Sequence, residues 1–175
     1  MSNDTTHQDQ PLPDPPRIRK LRRSEIDAIM ERNHVGRIAF ASDDGVDIEP
    51  VHYVHKFGWL YARTSKGAKL EAIIRQPQVA FEVDEVKGLF DWQSVVVTGP
   101  VQILTAVAMP WMGAADMSAH EDPAFAQGVA LLRALVPESL KADDPAPHRT
   151  TAFRIHVDEV VGYAARPATK ARRAR

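Results

Sequence analysis

The fold is decided by the stretch from residue 35 to residue 64, which reads VGRIAFASDDGVDIEPVHYVHKFGWLYART. It holds three runs of mostly apolar and β-branched residues, at 35–42, 46–55 and 59–64. The turn sequences Asp43-Asp44-Gly45 and Lys56-Phe57-Gly58 separate them, and short glycine-containing loops of this kind are typical of β-hairpins. The stretch therefore predicts three consecutive antiparallel strands.

Three more strands are predicted downstream, at 79–85, 94–104 and 151–161. The second contains Gly99-Pro100, a pair that indicates a bulge or a bend within a strand. Six short strands joined mostly by hairpins, with small helices at the rim, are typical of a closed barrel. The sequence therefore predicts a mainly β protein with peripheral helices, built as an antiparallel barrel.

Helices are predicted at three places. Ser24 has the chemistry of an N-cap residue and precedes a short apolar stripe at helical spacing. Ser65 is predicted to cap a second helix over 66–75, which ends before a Gln-Pro-Gln sequence. The third and most regular helical pattern covers 123–135.

The chain has 175 residues and a mass of 19.4 kDa, which predicts one domain, here over residues 21–165 with a helical insertion at about 105–147. Residues 1–20 are predicted to be a disordered arm, because the first 16 hold four prolines and neither Lys nor Arg. Residues 166–175 are a basic tail, predicted to solubilise that end of the chain.

Composition excludes several classes of protein. Lys and Arg number 22 and Asp and Glu 23, so the chain lacks the basic surplus of a general nucleic-acid binder. The absence of cysteine excludes disulfides, thiolate metal sites and thiol nucleophiles. No apolar run suits a membrane helix, and the N-terminus does not resemble a signal peptide, so we expect a cytoplasmic protein. His52 and His55 lie three apart on a predicted strand and would point to opposite faces, so no metal site is expected.

The candidate binding site lies where the predicted strand 59–64 meets the following helix. The N-terminus of a helix offers unpaired N–H groups and partial positive charge. Thr64 and Ser65 add hydroxyl groups, Arg63 a planar guanidinium, and Lys69 a second positive charge. Gly67 allows a ligand to approach the backbone closely. This combination suits a phosphate monoester, although a capped helix with two solvated cations accounts for the same residues equally well.

Four pieces of the sequence, in this order and spacing, resemble the flavin-binding split-barrel superfamily. They are Pro50-Val51-His52-Tyr53, the run from Gly58 to Leu70, Trp92-Gln93-Ser94-Val95, and Gly99. More narrowly, they resemble the pyridoxamine 5'-phosphate oxidase-related flavoproteins of the nitroimidazole-resistance type. The resemblance covers residues 21–104, and the last strand, at 153–163, also fits it.

The resemblance implies a six-stranded split barrel and a homodimer with FMN at the subunit interface. It implies that Arg63, Thr64, Ser65 and Lys69 hold the FMN phosphate. The strand containing Pro50, Val51, His52 and Tyr53 would lie along the isoalloxazine ring, with its backbone facing the polar edge of the ring. Trp92 and Ser94 would border the ring or the ribityl chain.

The function implied is an FMN-dependent oxidoreductase that passes electrons from a reduced nicotinamide donor to a small organic acceptor. The redox chemistry would belong to the flavin, and no residue is singled out as a catalytic acid or base. Two alternatives stay open: a flavin carrier or sensor without turnover, and a barrel that holds a deazaflavin or haem. Haem would need an axial histidine, for which His52 and His156 are candidates.

Overall fold

The computed structural model describes residues 15–106 and 122–167. These ranges contain eight strands and three helices, and none of these helices is long and apolar enough to span a bilayer. In chain order the elements are β1 (Arg17–Lys20), α1 (Arg23–Arg32), β2 (Val35–Ser42), β3 (Gly45–Lys56), β4 (Trp59–Thr64), α2 (Ala68–Arg75), β5 (Gln78–Gly88), β6 (Asp91–Leu104), α3 (Pro123–Leu135), β7 (Thr151–His156) and β8 (Glu159–Arg166).

Six of the strands close into a ring. Hydrogen bonding links them in the order β6, β5, β2, β3, β4 and β7, and a further pairing of β7 with β6 completes the circle. β8 continues beyond β7 along the same edge of β6, and β1 pairs with β8 outside the ring. The predicted six-stranded antiparallel barrel is therefore confirmed.

The three-stranded stretch forms as predicted. β2 and β4 have the predicted bounds, and β3 is one residue longer at each end than the predicted strand 46–55. Gly58 lies at the β3–β4 turn with a φ of 77°, in the region of left-handed backbone that favours glycine. Local turn chemistry is therefore sufficient to place these three strands.

The bend predicted at Gly99-Pro100 is where β6 passes from β8 to β7. Thr98 of β6 pairs with Glu159 of β8, and Val101 of β6 pairs with Ile155 of β7. The two β6 residues are three positions apart, whereas their partners are four positions apart. The extra residue makes a bulge opposite Gly99, so the predicted single strand 151–161 is interrupted there. A Cβ on Gly99 would lie 1.9 Å from the carbonyl oxygen of His156, which explains the need for glycine.

Helix α1 closes the barrel with Ile26, Ile29 and Met30, all at most 5% exposed. It begins at Arg23, so the prediction that Ser24 is the N-cap is wrong. Arg22 takes that place, and its backbone N–H donates to the Glu25 carboxylate at 2.8 Å. The Glu25 carboxylate, three residues after Arg22, therefore accepts a hydrogen bond at the helix N-terminus, where the Ser24 hydroxyl was predicted to accept one.

The arm predicted for residues 1–20 is wrong for its last four residues. Arg17–Lys20 form β1, which pairs with residues 163–166 of β8. Their side chains are all exposed, so the strand forms through its backbone while the charges stay in water. Residues 1–14 and 168–175 lie outside the described residues, as does the central part of the predicted insertion, 107–121.

Helix α3 is confirmed at 123–135 and packs against the outside of the barrel. Its Leu132 lies in a small apolar cluster with Tyr61 of β4 and Leu104 of β6. The Tyr61 hydroxyl donates to Gln127 Oε1 at 2.9 Å. A Cβ on Gly128 would lie 2.7 Å from Leu104 Cδ1, so glycine lets the helix approach the sheet closely.

One buried histidine on β3 gives a pH-dependent expectation. His55 is 8% exposed, and neither ring nitrogen has a hydrogen-bond partner among the described residues. Burial lowers its pKa below the ordinary value of 6.5, against the opposing effect of nearby acids. The charged groups that act on it are Asp27, Glu31, Arg23 and Lys56. The unfolded chain therefore binds the proton more readily than the folded one.

We expect the free energy of unfolding to be highest above pH 6.5 and to fall as the pH drops below that value. His55→Leu should remove this part of the slope between pH 7.5 and 5.5, measured by urea denaturation. His34→Leu is the matched control, because His34 is exposed and lacks the burial that acts on His55. An unchanged slope in His55→Leu would contradict the expectation.

Candidate functional site

The barrel opens between β3 and β4. Their ladder stops at the pair Tyr53–Ala62. Beyond it, Arg63 and Thr64 of β4 pair only with β7 among the described strands, and residues 46–52 of β3 pair only with β2. The two strands therefore diverge, and a cleft lies beside His52 and Arg63, two of the residues predicted to contact a flavin.

The cleft has a volume of about 270 Å³. Small-molecule pockets typically measure about 300–1,000 Å³, so the cleft could receive part of a cofactor. One wall belongs to the barrel and the other to α3 and the loop after it. The lining residues are His52 and Arg63 from the barrel, Leu132, Leu135 and Val136 from the end of α3, and Ser139, Pro145, Ala146 and Arg149 from the loop.

Arg63, predicted to bind phosphate, is bonded to a carboxylate of the chain itself. Its two Nη atoms donate to the two carboxylate oxygens of Asp144, with an Nη2–Oδ1 distance of 2.8 Å. The Asp144 carboxylate also accepts the backbone N–H groups of Leu140 and Ala146, at 2.7 and 2.8 Å. The Arg63 donors, followed by these N–H groups, hold the pKa of Asp144 well below its usual range. The pair fastens the loop to the barrel and balances the charge of Arg63.

Lys69 is also neutralised within the chain. Its Nζ lies 2.6 Å from Glu49 Oε2 on β3. Helix α2 begins at Ala68, and Gly67 is its N-cap with a φ of 145° and no side-chain hydrogen bond. The prediction that Ser65 caps this helix is therefore wrong, because the chain uses residues 65–67 to leave β4 before the helix starts.

Two hydroxyl groups of the predicted phosphate site lie between these cations in the sequence. Thr64 is 2% exposed, and its Oγ1 has no hydrogen-bond partner among the described residues. Buried hydroxyls usually have a partner, so the Thr64 hydroxyl is an exception among the described residues. Ser65 follows it and is half-buried.

The strand predicted to lie along the flavin ring is divided between core and cleft. Val51 and Tyr53 are buried, and the Tyr53 hydroxyl donates to the carbonyl oxygen of Met30 at 3.0 Å. Burial raises the pKa of Tyr53. Pro50 and His52 point the other way and are exposed. A ligand in the cleft would therefore meet the backbone of this strand and the side chain of His52.

Trp92 and Ser94 do not line this cleft. They lie on the outer face of β6, which pairs with β5 and β8. The Ser94 hydroxyl donates to Glu82 Oε1 at 3.0 Å, and Trp92 is half-buried beside Val86 and Ala165. Within one protomer the structure therefore separates these two predicted residues from Arg63 and His52.

Sequence reasoning missed two residues of the site, Asp144 and Arg149. Both lie in the loop after α3, and no motif marks them. Arg149 Nη1 is 3.3 Å from His52 Nδ1, so the loop reaches across the cleft to the barrel. Among the described residues, no group of three His, Asp or Glu side chains could hold a metal ion.

A family comparison covers both the barrel and the loop. Residues 22–164 match the model of the pyridoxamine 5'-phosphate oxidase family. The chain belongs to this family. The resemblance predicted from the four sequence pieces is therefore confirmed. A member of the pyridoxamine 5'-phosphate oxidase family is expected to have the split barrel described above.

Similar proteins come from several bacteria. An uncharacterised protein of Rhizobium meliloti is 32% identical over 89 residues, which are 51% of this chain and 59% of that protein. The alignment thus spans less than two thirds of the relative. A FAD-binding protein of Mesorhizobium loti has a similar structure, with a TM-score of 0.63, 26% identity, and coverage of 87% of this chain and 99% of that one.

Two more distant structures share the fold of this family member. One is a candidate 5-nitroimidazole antibiotic resistance protein of Bacteroides thetaiotaomicron, with a TM-score of 0.59, 14% identity, and coverage of 88% of this chain and 91% of that one. The other is a heme-binding protein of Mycobacterium smegmatis, with a TM-score of 0.56, 14% identity, and coverage of 81% and 55%. At these identities only the fold is established.

Proposed function

We propose that this member of the pyridoxamine 5'-phosphate oxidase family is a cytoplasmic flavoprotein that binds FMN in the cleft between β3 and β4. It acts as an oxidoreductase that passes electrons from a reduced nicotinamide donor to a small organic acceptor. The observation that carries the proposal is the divergence of β3 and β4 beside a cleft that His52 and Arg63 line. The FAD-binding relative from Mesorhizobium loti supports a flavin as the ligand.

The residues around the cleft suit a flavin nucleotide. The apolar wall from Leu132 to Val136 can pack against a ring system, and the open edge of residues 50–52 offers backbone groups to its polar edge. The hydroxyl groups of Thr64 and Ser65, which follow Arg63 at the end of β4, can donate to a phosphate. When bound, a flavin supplies the electron transfer, and these residues bind it, orient it and exclude water.

The test is the absorption spectrum of the protein as purified, followed by identification of the molecule released on denaturation. We expect a flavin spectrum, release of FMN, and bleaching on addition of NADH or NADPH. Release of FAD would correct the nucleotide while supporting the flavin. A protein that neither carries a flavin nor binds added FMN, FAD or riboflavin would overturn the proposal.

The same experiment separates the alternatives. A bound flavin that neither NADH nor NADPH reduces, and that does not pass electrons to added acceptors after chemical reduction with dithionite, favours a carrier or sensor. A Soret band indicates haem, and a deazaflavin has its own spectrum. Of the two candidate axial residues, His52 lines the cleft. His156 does not: its Nδ1 is bonded to Asp158 and its ring contacts Trp59.

The proposal includes a homodimer that forms through the outer face of β6 and β8. A groove of about 400 Å³ on this face is lined by Val96, Thr98, Glu159 and Val161, and the exposed Tyr163 and Ile18 lie next to it. A second copy packed here would cover the apolar side chains of this face, which include Val161, Tyr163 and Ile18. Trp92 and Ser94 lie on the same face, so in this proposal they border the flavin of the partner subunit.

We expect a mass of about twice 19.4 kDa by sedimentation at micromolar concentration. Val161→Glu should shift the protein to the monomer and weaken flavin binding, because it places a charge in the apolar contact. Ile74→Glu is the matched control, since Ile74 is 61% exposed on α2, outside this face. A wild-type monomer that binds FMN tightly would contradict the shared cleft.

A further inference from the structure

Among the described residues, two cations line the cleft, and one of them has its charge balanced. Arg63 is paired with Asp144 through two hydrogen bonds. Among the described residues, no carboxylate lies within ion-pair distance of Arg149. Lys69, the other predicted phosphate ligand, is paired with Glu49 and does not line the cleft. The net positive charge of the cleft therefore belongs to Arg149, which the sequence motif does not include.

Arg149 faces a histidine across the cleft. Its Nη1 is 3.3 Å from His52 Nδ1. A guanidinium has donors only, so this contact requires His52 Nδ1 to accept and places the ring hydrogen on Nε2. The pair thus keeps the His52 Nε2–H and further guanidinium N–H groups as donors for a ligand.

The surroundings of Arg149 favour an anion. Leu132, Leu135 and Val136 form the apolar part of the same cleft. A charge beside such a wall is less well solvated than one in open water, so it gains more from a partner of opposite sign. A planar guanidinium matches the paired oxygens of a phosphate.

The loop holds Arg149 in place before any ligand arrives. The backbone N–H of Arg149 donates to the carbonyl oxygen of Ala146 at 3.0 Å. The N–H of Ala146 in turn donates to Asp144, which is fastened to Arg63 on the barrel. The buried Arg63–Asp144 pair therefore positions Arg149 opposite His52.

We propose that Arg149, together with His52, recognises the phosphate group of the ligand that binds in this cleft, and that Arg63 acts as a positioning residue for it. The identity of that ligand as a flavin rests on the proposed function, whereas the anion site does not. The phosphate belongs either to the flavin nucleotide or to a second ligand beside it.

The test compares the wild type with Arg149→Met and Arg149→Lys. Fluorescence titration measures the affinities for FMN and riboflavin, and thermal unfolding measures stabilisation by inorganic pyrophosphate with and without bound flavin. Arg75→Met is the matched control for the loss of one positive charge, since Arg75 pairs with Asp43 on the surface. Circular dichroism verifies that each variant is folded.

We expect Arg149→Met to lower FMN affinity by roughly 10- to 100-fold, the effect of losing a charge-assisted hydrogen bond, and to leave riboflavin affinity within about twofold. Arg149→Lys should lie between, and Arg75→Met should match the wild type. If the preference for FMN is unchanged but pyrophosphate stabilises the flavin-loaded wild type and not Arg149→Met, the site takes the phosphate of a second ligand, which also supports the proposal.

If the wild type binds flavin, two results would overturn it. One is an equal loss of FMN and riboflavin affinity in Arg149→Met, which would place Arg149 against the ring instead of a phosphate. The other is an Arg149→Met variant that equals the wild type with every probe. If the wild type binds no flavin, the proposed function fails, and the anion site is tested by pyrophosphate alone. Stabilisation of the wild type but not of Arg149→Met by pyrophosphate supports the anion site. If pyrophosphate stabilises neither protein, the anion site is overturned.

Discussion

Gly99→Ala is expected to prevent the barrel from closing properly. A Cβ at this position would lie 1.9 Å from the carbonyl oxygen of His156, 3.0 Å from its carbonyl carbon and 3.3 Å from the backbone nitrogen of Asp158. These are backbone atoms that belong to the bulge between β7 and β8, so no side chain can rotate away. The two strands would have to separate where β6 exchanges one partner for the other.

We expect insoluble protein or a fall in Tm of more than about 10 °C, measured by circular dichroism. The control is Gly88→Ala at the end of β5, where a Cβ would meet nothing within 4 Å. It should change Tm by no more than about 2 °C. A Gly99→Ala variant as stable as Gly88→Ala would show that the contact between β6 and the bulge is looser than in this structure.

Arg63→Met is expected to destabilise the protein strongly. The Arg63 and Asp144 side chains are 9% and 3% exposed, so removing the guanidinium leaves a buried carboxylate without its charge partner. Removing one partner of a buried ion pair lowers stability strongly, because the other charge stays buried without a partner. Replacing both partners by apolar residues changes stability much less. We expect Tm to fall by roughly 10 °C.

A double variant separates the charge effect from the loss of packing. Arg63→Met combined with Asp144→Asn should be more stable than Arg63→Met alone, because the side chain at 144 no longer carries a charge that needs a partner. Arg75→Met, which breaks an exposed pair, should change Tm by about 2 °C or less. If Arg63→Met alone matches Arg75→Met, the loop does not depend on this pair.

Arg63→Met also has a functional signature distinct from that of Arg149→Met. It should release the loop that forms one wall of the cleft, so the affinities for FMN and riboflavin should fall together. Arg149→Met should lower FMN affinity selectively. The contrast between the two variants distinguishes a residue that supports the cleft from one that contacts a phosphate.

Much of the barrel was predictable because the signals are local. Strands β2, β3 and β4 are joined by turns whose residues allow few other conformations, and their bounds agree with the prediction to within one residue. The bend at Gly99-Pro100 was marked by two residues that a regular central strand excludes. The wrong N-caps at Ser24 and Ser65 are local errors as well, because several residues in each segment could start the helix.

The site was less predictable, because its residues come together only in the folded chain. The motif correctly marks the end of β4, but it cannot indicate that Asp144 would meet Arg63 from a loop far downstream, or that Glu49 would meet Lys69. Arg149 carries no motif, and it lines the cleft only because the Arg63–Asp144 pair holds its loop there. That FMN is the ligand stays a prediction.

The sequence by itself determined the mainly β class, the antiparallel connection of β2 to β4, the family, and the place in the chain where the barrel opens. These depend on turn chemistry and residue periodicity over a few neighbouring positions. Only the tertiary structure decided that Arg17–Lys20 add an outer strand, that Trp92 and Ser94 lie away from the cleft, and which cations keep their charge available. The reason is that an ion pair depends on distances in space, and a carboxylate from any part of the chain can neutralise an arginine once the fold places it there.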